Sequence, residues 1–180
     1  LGLKWSSLNF KNGVALNLRT EVIAPIRNFA HHTVDVSSII IGLLPGPTIN
    51  GRVIHAYGKY LFGDATLQDL PNDPPRFVIN ATNVQSGALV RFSKPYIRDY
   101  KVGEIRKPTI PLSVAVAASS AFPPFLSPAF IDLDPTTFTA TDGETLIGYE
   151  YRKRMVLTDG GVYDNLGMEA VWKRFDTVLV

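Results

Sequence analysis

A chain of 180 residues with 46% apolar content is long enough to bury a proper core, and 19% charged residues with a net charge of +2 exclude a disordered chain and argue against a nucleic-acid footprint. The absence of cysteine removes disulfides, thiolate catalysis and cysteine-ligated zinc, so chemistry must come from oxygen and imidazole groups. No apolar run reaches the roughly 18 residues of a membrane span; the longest, 38–44 and 111–118, are short and stopped by Gly or Pro, which reads as a soluble or at most peripheral domain, cytoplasmic or membrane-associated.

The chain opens at Leu1 without an initiator methionine or signal-peptide pattern and closes on the apolar run 177–180, so both ends read as cuts in a longer polypeptide. In residues 19–33 the apolar side chains Val22, Ile23, Ile26, Phe29 and Ala30 recur at helical spacing, and Pro25 divides the helix into two pieces. A short apolar helix is predicted over 36–44 and an amphipathic one over 52–62, ended near Gly63. Residues 67–75 carry the Asp, Asn and Pro of turns and caps. They lead into a strand at 76–82, a turn at 83–87 and a second strand at 88–93, together a hairpin. Residues 111–121 are small and apolar, with Pro111 in the first turn and Pro123-Pro124 beyond the end, and predict a buried helix. Strands are expected at 129–133, 146–150 and 154–158, a helix at 165–175 and a strand from 177 to 180. The last strand–helix–strand succession, with the 159–161 loop between its first two members, reads as a βαβ unit in a partly parallel sheet. The chain thus divides into a helical, loop-rich part, 1–75, and a sheet part, 76–180, within one partial α/β domain.

The most informative local pattern is Met155-Val156-Leu157-Thr158-Asp159-Gly160-Gly161-Val162-Tyr163-Asp164-Asn165-Leu166-Gly167. An apolar strand delivers an aspartate to its carboxyl end, where open α/β sheets place their ligands, and the glycines permit approaches that a Cβ would block. The same residues also read as a plain tight turn, since Asp-Gly is a common turn dipeptide. In Ala117-Ala118-Ser119-Ser120-Ala121-Phe122-Pro123-Pro124-Phe125, Ser119 is a poor nucleophile candidate. Ala117 and Ala121 occupy the positions two before and two after it, and no strand precedes it to form a sharp elbow.

The Asp159-Gly160-Gly161 loop with Val162-Tyr163-Asp164-Asn165, the helix 118–123 and the segment Phe77-Val78-Ile79-Asn80-Ala81-Thr82-Asn83 leading to Ser86-Gly87 resemble, in order and spacing, the patatin-like phospholipases. The resemblance covers about 76–180. It implies a three-layer α/β/α fold with a mixed sheet, here a partial domain, and a Ser-Asp dyad that hydrolyses lipid acyl esters without cofactor or metal. It implies Asp159 as the base, Gly160 and Gly161 as its supporting loop, and Asn80, Thr82 and Asn83 as cleft-lining residues. Its partners would be a phospholipid or other acyl ester, with peripheral membrane contact and no nucleic acid. In that family the nucleophile sits in a Gly-x-Ser-x-Gly elbow behind a glycine-rich oxyanion loop. None of the ten serines here has glycine two before and two after, and no Gly-Gly-Gly run exists. The serine is therefore expected upstream of this segment, which alone should be inactive, because a serine hydroxyl needs a base within reach and preorganised donors for the oxyanion. The alternative is a noncatalytic relative that keeps the fold for lipid or protein binding.

Other candidates carry blander readings. His31 and His32 point about 100° apart on a helix and cannot share a metal, and His55 is a lone helical residue. Asp64, Asp69 and Asp73 lack the alternating ligands and central glycine of a calcium loop and read as caps and turns. Arg152-Lys153-Arg154 reads as a solvated strand end, and Asn80-Ala81-Thr82, though a glycosylation sequon, lies inside a strand. Arg91, Lys94 and Arg98 have the sign of charge to face a headgroup phosphate.

Overall fold

In the computed structural model, which describes residues 1–31, 49–172 and 174–179, a small hairpin of β1 (Phe10–Lys11) and β2 (Val14–Ala15) precedes the first helix. The break expected at Pro25 takes the form of a change in winding. A wide π segment, Arg19–Ile23, passes directly into α1 (Ala24–His31), as befits a proline that can donate no backbone bond to the turn before it. The helix expected at 36–44 lies outside the described residues. Helix α2 (Ile49–Tyr57) continues as a second π segment, Gly58–Phe62, and stops at Gly63, whose φ of +57° admits glycine readily. Thr66 and Asp69 then form a capping box. The Asp69 carboxylate accepts the Thr66 N–H at 2.8 Å and is held below the usual carboxylate range, first by that bond and then by the Thr66 hydroxyl.

The strands β3 (Val78–Asn83), β4 (Ala88–Ser93), β5 (Tyr96–Asp99) and β6 (Gly103–Arg106) run as a meander, and helix α3 (Leu112–Ser119) follows. Strand β7 (Ala129–Asp132), the two-residue β8 (Phe138–Thr139), helix α4 (Tyr149–Lys153) and strand β9 (Arg154–Asp159) lead to the one-turn α5 (Gly161–Asp164). The sheet order is β7-β9-β3-β4-β5-β6-β8, so β9, late in sequence, is inserted beside β3. This is an α/β architecture in which α3 packs on one sheet face. Its small residues Ala115 and Ala118, and Ala121 just beyond, are fully buried with Ala81, Val90, Phe92, Ile97, Met155 and Leu157. Alanines let helix and sheet backbones approach closely, which places the end of α3 beside the end of β9. Helix α2 lies against α3 in turn, with Asn50 Nδ2 donating to the Ala117 carbonyl and the Tyr57 hydroxyl 3.2 Å from Ser120 Oγ.

Three expectations are corrected. The strand placed at 146–150 is a helix from Tyr149, started at Gly148 and anchored by Arg152, which donates to the Val102 carbonyl and pairs with Glu144 at 3.2 Å. The helix placed at 165–175 is broken. Gly167 adopts φ +65° and leaves only the one-turn α5 before it and a 3₁₀ turn, Met168–Ala170, after it. Residues 177–179 form no strand, so the βαβ unit is not made, and every strand pairing among the described residues is antiparallel.

Candidate active site

Antiparallel pairing of β3 with β9 is short, running only from Asn83↔Leu157 to Ala81↔Asp159. Beyond Asp159 the chain bends away, and Val78, Ile79 and Asn80 have no strand partner on that side among the described residues. They form one wall of an open depression of about 500 Å³; Val116 and Ser119 of α3 form another, and Asp159-Gly160-Gly161 with residues 164–167 the rest.

The bend is fixed from both sides. The Asp159 N–H donates to the Ala121 carbonyl at 3.0 Å and the Gly160 N–H to the Ser119 carbonyl at 3.3 Å, tying the loop to the end of α3. Thr158 Oγ1 donates to the same Ala121 carbonyl at 3.0 Å. From β3, Thr82 Oγ1 donates to the Asp159 carbonyl at 2.8 Å. The carboxylate is itself oriented, since Asp159 Oδ1 accepts the Gly161 N–H at 2.7 Å. Among the described residues the half-buried side chain makes no ion pair and Oδ2 has no partner, so one oxygen is left unengaged at the wall of the depression.

The two glycines are needed for space and not for unusual dihedrals. Gly160 sits at φ −60°, ψ −31°, but a Cβ there would lie 2.6 Å from the Asn80 carbonyl oxygen. At Gly161 the nearest atoms are side-chain oxygens, Asn165 Oδ1 at 2.8 Å and Asp159 Oδ1 at 3.0 Å. Gly160→Ala should therefore cost about 1–3 kcal/mol, the usual range for overpacking against backbone. Gly161→Ala should cost less in stability while displacing the carboxylate. Denaturant melts of the two variants check this order, and an equal or reversed ranking would refute the close-approach account.

The model of the family described as patatin-like phospholipase matches residues 8–172. The chain belongs to the patatin-like phospholipase family. No curated protein and no solved structure matches it. Membership indicates a hydrolase of the esterase and lipase kind, with lipid acyl esters as the family's substrates.

The structure separates the three polar residues of β3. Asn80 lines the depression, its Oδ1 occluded and without a hydrogen-bond partner. Thr82 is buried behind the loop as the holder of the Asp159 backbone. Asn83 is not at the depression: it is fully buried, with Nδ2 donating to Asp99 Oδ2 at 2.9 Å and Oδ1 accepting the Gln85 N–H at 3.0 Å. Successive strand residues face opposite ways, so Asn80 and Thr82 share one sheet face and Asn83 takes the other.

The sequence reading did not assign Val116, Asp164, Asn165, Leu166 or Gly167 to the site. The signal for the last four was Gly167, a helix breaker inside the expected helix. Leu166 of the lining is an exposed apolar side chain, as are Val162, next to Gly161 in sequence, and Phe122 and Phe125, which follow Ala121. Tyr163 on α5 has its phenol held above the ordinary range, chiefly by a hydrogen bond to Glu169, whose N–H donates to Asp164 Oδ2 at 2.7 Å.

The remaining candidates lie elsewhere. His31 and His55 are exposed and line no part of the depression, and His32 is outside the described residues. Asp69 is a cap, and Asp64 and Asp73 are exposed. In the basic run, Arg154 forks onto Asp132 at 2.6 and 3.1 Å and lowers that carboxyl's proton affinity, while Lys153 lies over the Tyr149 ring.

Proposed function

We propose that this chain provides the base and part of the cleft of a lipid acyl hydrolase, of phospholipase A type or a related carboxylic ester hydrolase, working through a Ser-Asp dyad. The observation that carries the reading is the Asp159 carboxylate, held by the Gly161 N–H through one oxygen and unengaged at the other, on the wall of an open depression. The serine belongs to a Gly-x-Ser-x-Gly elbow outside these 180 residues. It would approach over the glycine-lined bend. Asp159 would take the hydroxyl proton as the oxygen attacks the acyl carbonyl, then return it to the leaving alcohol; water, activated by the same carboxylate, would release the acyl group. The exposed Leu166 of the lining suits an acyl chain, and the exposed Phe122, Phe125 and Val162 suit a peripheral encounter with a lipid surface.

The test is covalent labelling of the intact protein with a fluorophosphonate, followed by peptide mapping. The adduct is expected on a serine of a Gly-x-Ser-x-Gly segment and on none of the ten serines here. An adduct on Ser119, which shares the depression with Asp159, would overturn the assignment of the nucleophile. Failure to label any serine would favour the noncatalytic, lipid- or protein-binding alternative.

A further inference from the structure

The basic excess of the chain lies in residues 1–31, where Lys4, Lys11, Arg19 and Arg27 stand against one acid, Glu21, so that this stretch exceeds the +2 of the whole chain. Glu21 is already paired with Lys4 at 3.4 Å, and Lys11, Arg19 and Arg27 are exposed with no ion pair among the described residues. The turn Asn12-Gly13, with φ of 51° and 78°, closes a hairpin in which Phe10 stands opposite Ala15 and Lys11 opposite Val14. Directly opposed residues share a face, so the hairpin has two. Phe10 and Ala15 turn toward the body of the protein, where the Phe10 ring lies 5.3 Å from Trp5 and Trp5 lies 6.3 Å from Phe77. Lys11 and Val14 take the outer face, joined by Leu16, whose N–H extends the ladder to the Asn9 carbonyl; Val14 is 62% and Leu16 60% exposed. Asn17 braces the hairpin, its Oδ1 accepting the Asn9 N–H at 2.7 Å and its Nδ2 donating to the Ser7 carbonyl at 2.9 Å. Its carbonyl accepts the Glu21 N–H and so leads into the π segment, after which Ile23, Ile26 and Arg27, spaced to share one helix side, are again exposed. Aliphatic side chains scattered singly over a surface need no explanation, but a braced hairpin that turns two of them outward beside an unpaired lysine does.

We propose that this hairpin, with the helical turn that follows it, docks the protein on an anionic lipid surface. Val14 and Leu16 enter the boundary between headgroups and acyl chains, and Lys11, Arg19 and Arg27 meet the headgroup charge. Cations interleaved with aliphatic side chains favour a bilayer over a nucleic acid, whose bases would call for stacked rings. A second copy fits less well, because a two-fold contact would set the same cations against themselves. The inference gives the lipid encounter of the hydrolase reading a defined element, but the docking itself does not depend on that reading.

The experiment is flotation of the intact protein with phosphatidylcholine vesicles and with vesicles of equal parts phosphatidylcholine and phosphatidylserine. Wild type is expected to bind the second kind preferentially and to be released as salt is raised. Val14→Ser/Leu16→Ser, which leaves the charge unchanged, should weaken binding about tenfold or more. Lys11→Gln should weaken it about fivefold, and Lys107→Gln, at an exposed lysine just beyond β6, should not weaken it. Neither hairpin variant should change the melting temperature or the turnover of a soluble ester. Absence of binding by wild type, or undiminished binding in both hairpin variants, would overturn the proposal. An equal loss in Lys107→Gln would do the same, since it would mean diffuse attraction by net charge. A marked fall in the melting temperature of Val14→Ser/Leu16→Ser would show the face to be covered by other parts of the polypeptide, and dissociation of an oligomer would show a second copy there; either result overturns lipid docking. Flotation needs no turnover, so a protein inactive on every ester would sink the hydrolase reading while the docking is still decided.

Discussion

Asp159→Asn in the intact protein is expected to lower ester hydrolysis by about two decades or more, the ordinary consequence of losing a general base, with the melting temperature almost unchanged. The amide is nearly isosteric, and its oxygen can still accept the Gly161 N–H that Asp159 Oδ1 accepts at 2.7 Å. The main-chain bonds to Ala121, Ser119 and Thr82 do not involve the side chain at all. What disappears is proton affinity at the second oxygen. Because no ion pair holds the carboxylate among the described residues, stability has little to lose. Steady-state rates on a soluble ester, beside a thermal melt of the same sample, separate the two effects. Near-normal turnover would remove Asp159 from the chemistry and leave the loop as a tight turn.

The elements that could be read from the sequence were those whose pattern agreed with their packing. The hairpin at β3 and β4, the alanine-rich α3 and the strand ending at Asp159 each combine local propensity with burial on one face. Strands β5 and β6 went unassigned because Pro95 and the alternation of Tyr96 and Arg98 with Ile97 and Asp99 hide a half-polar strand in what reads as a charged loop. Tertiary contacts decided the segment from Tyr149, where Arg152 finds the Val102 carbonyl and Glu144 and pulls a helical turn out of a β-prone sequence. At the site, the glycines were legible as a requirement for room, but not that the crowding atom at Gly160 would be the Asn80 carbonyl. Alternation along β3 separates Asn83 from Asn80 and Thr82, but that Asn83 is buried on Asp99 and away from the depression followed only from tertiary contacts. Arg91 and Arg98 were visible only as a sign of charge; strand register sets them opposite one another on the sheet face away from the Asp159 side chain.

Asp99, which the sequence did not single out, is expected to show the largest stability effect. Asp99→Ala should cost about 3 kcal/mol or more, because several buried donors lose an acceptor at once. The residue is fully buried; Oδ2 accepts from Ser86 Oγ at 2.6 Å and Asn83 Nδ2 at 2.9 Å, and Oδ1 accepts the Lys101 N–H at 2.9 Å. Lys101 Nζ in turn donates to the Ser86 carbonyl at 2.8 Å. One carboxylate thus pins the β3–β4 turn to the β5–β6 turn. Truncation would strand two side-chain donors and one backbone N–H away from water, whereas Asp99→Asn, which keeps one acceptor oxygen, should cost less. The effect should also reach the active site in a weaker form. Asn83 is paired with Leu157, two residues before Asp159, so a loosened turn relaxes the strand that carries Asp159. Urea denaturation of the two variants, with an Asn83→Ala/Asp99→Ala double-mutant cycle, tests both steps. A coupling of about 1–3 kcal/mol is expected for groups in one hydrogen-bond network. A loss under about 1 kcal/mol for Asp99→Ala would mean that water reaches these donors, and that the two turns are held by the sheet ladder and not by this carboxylate.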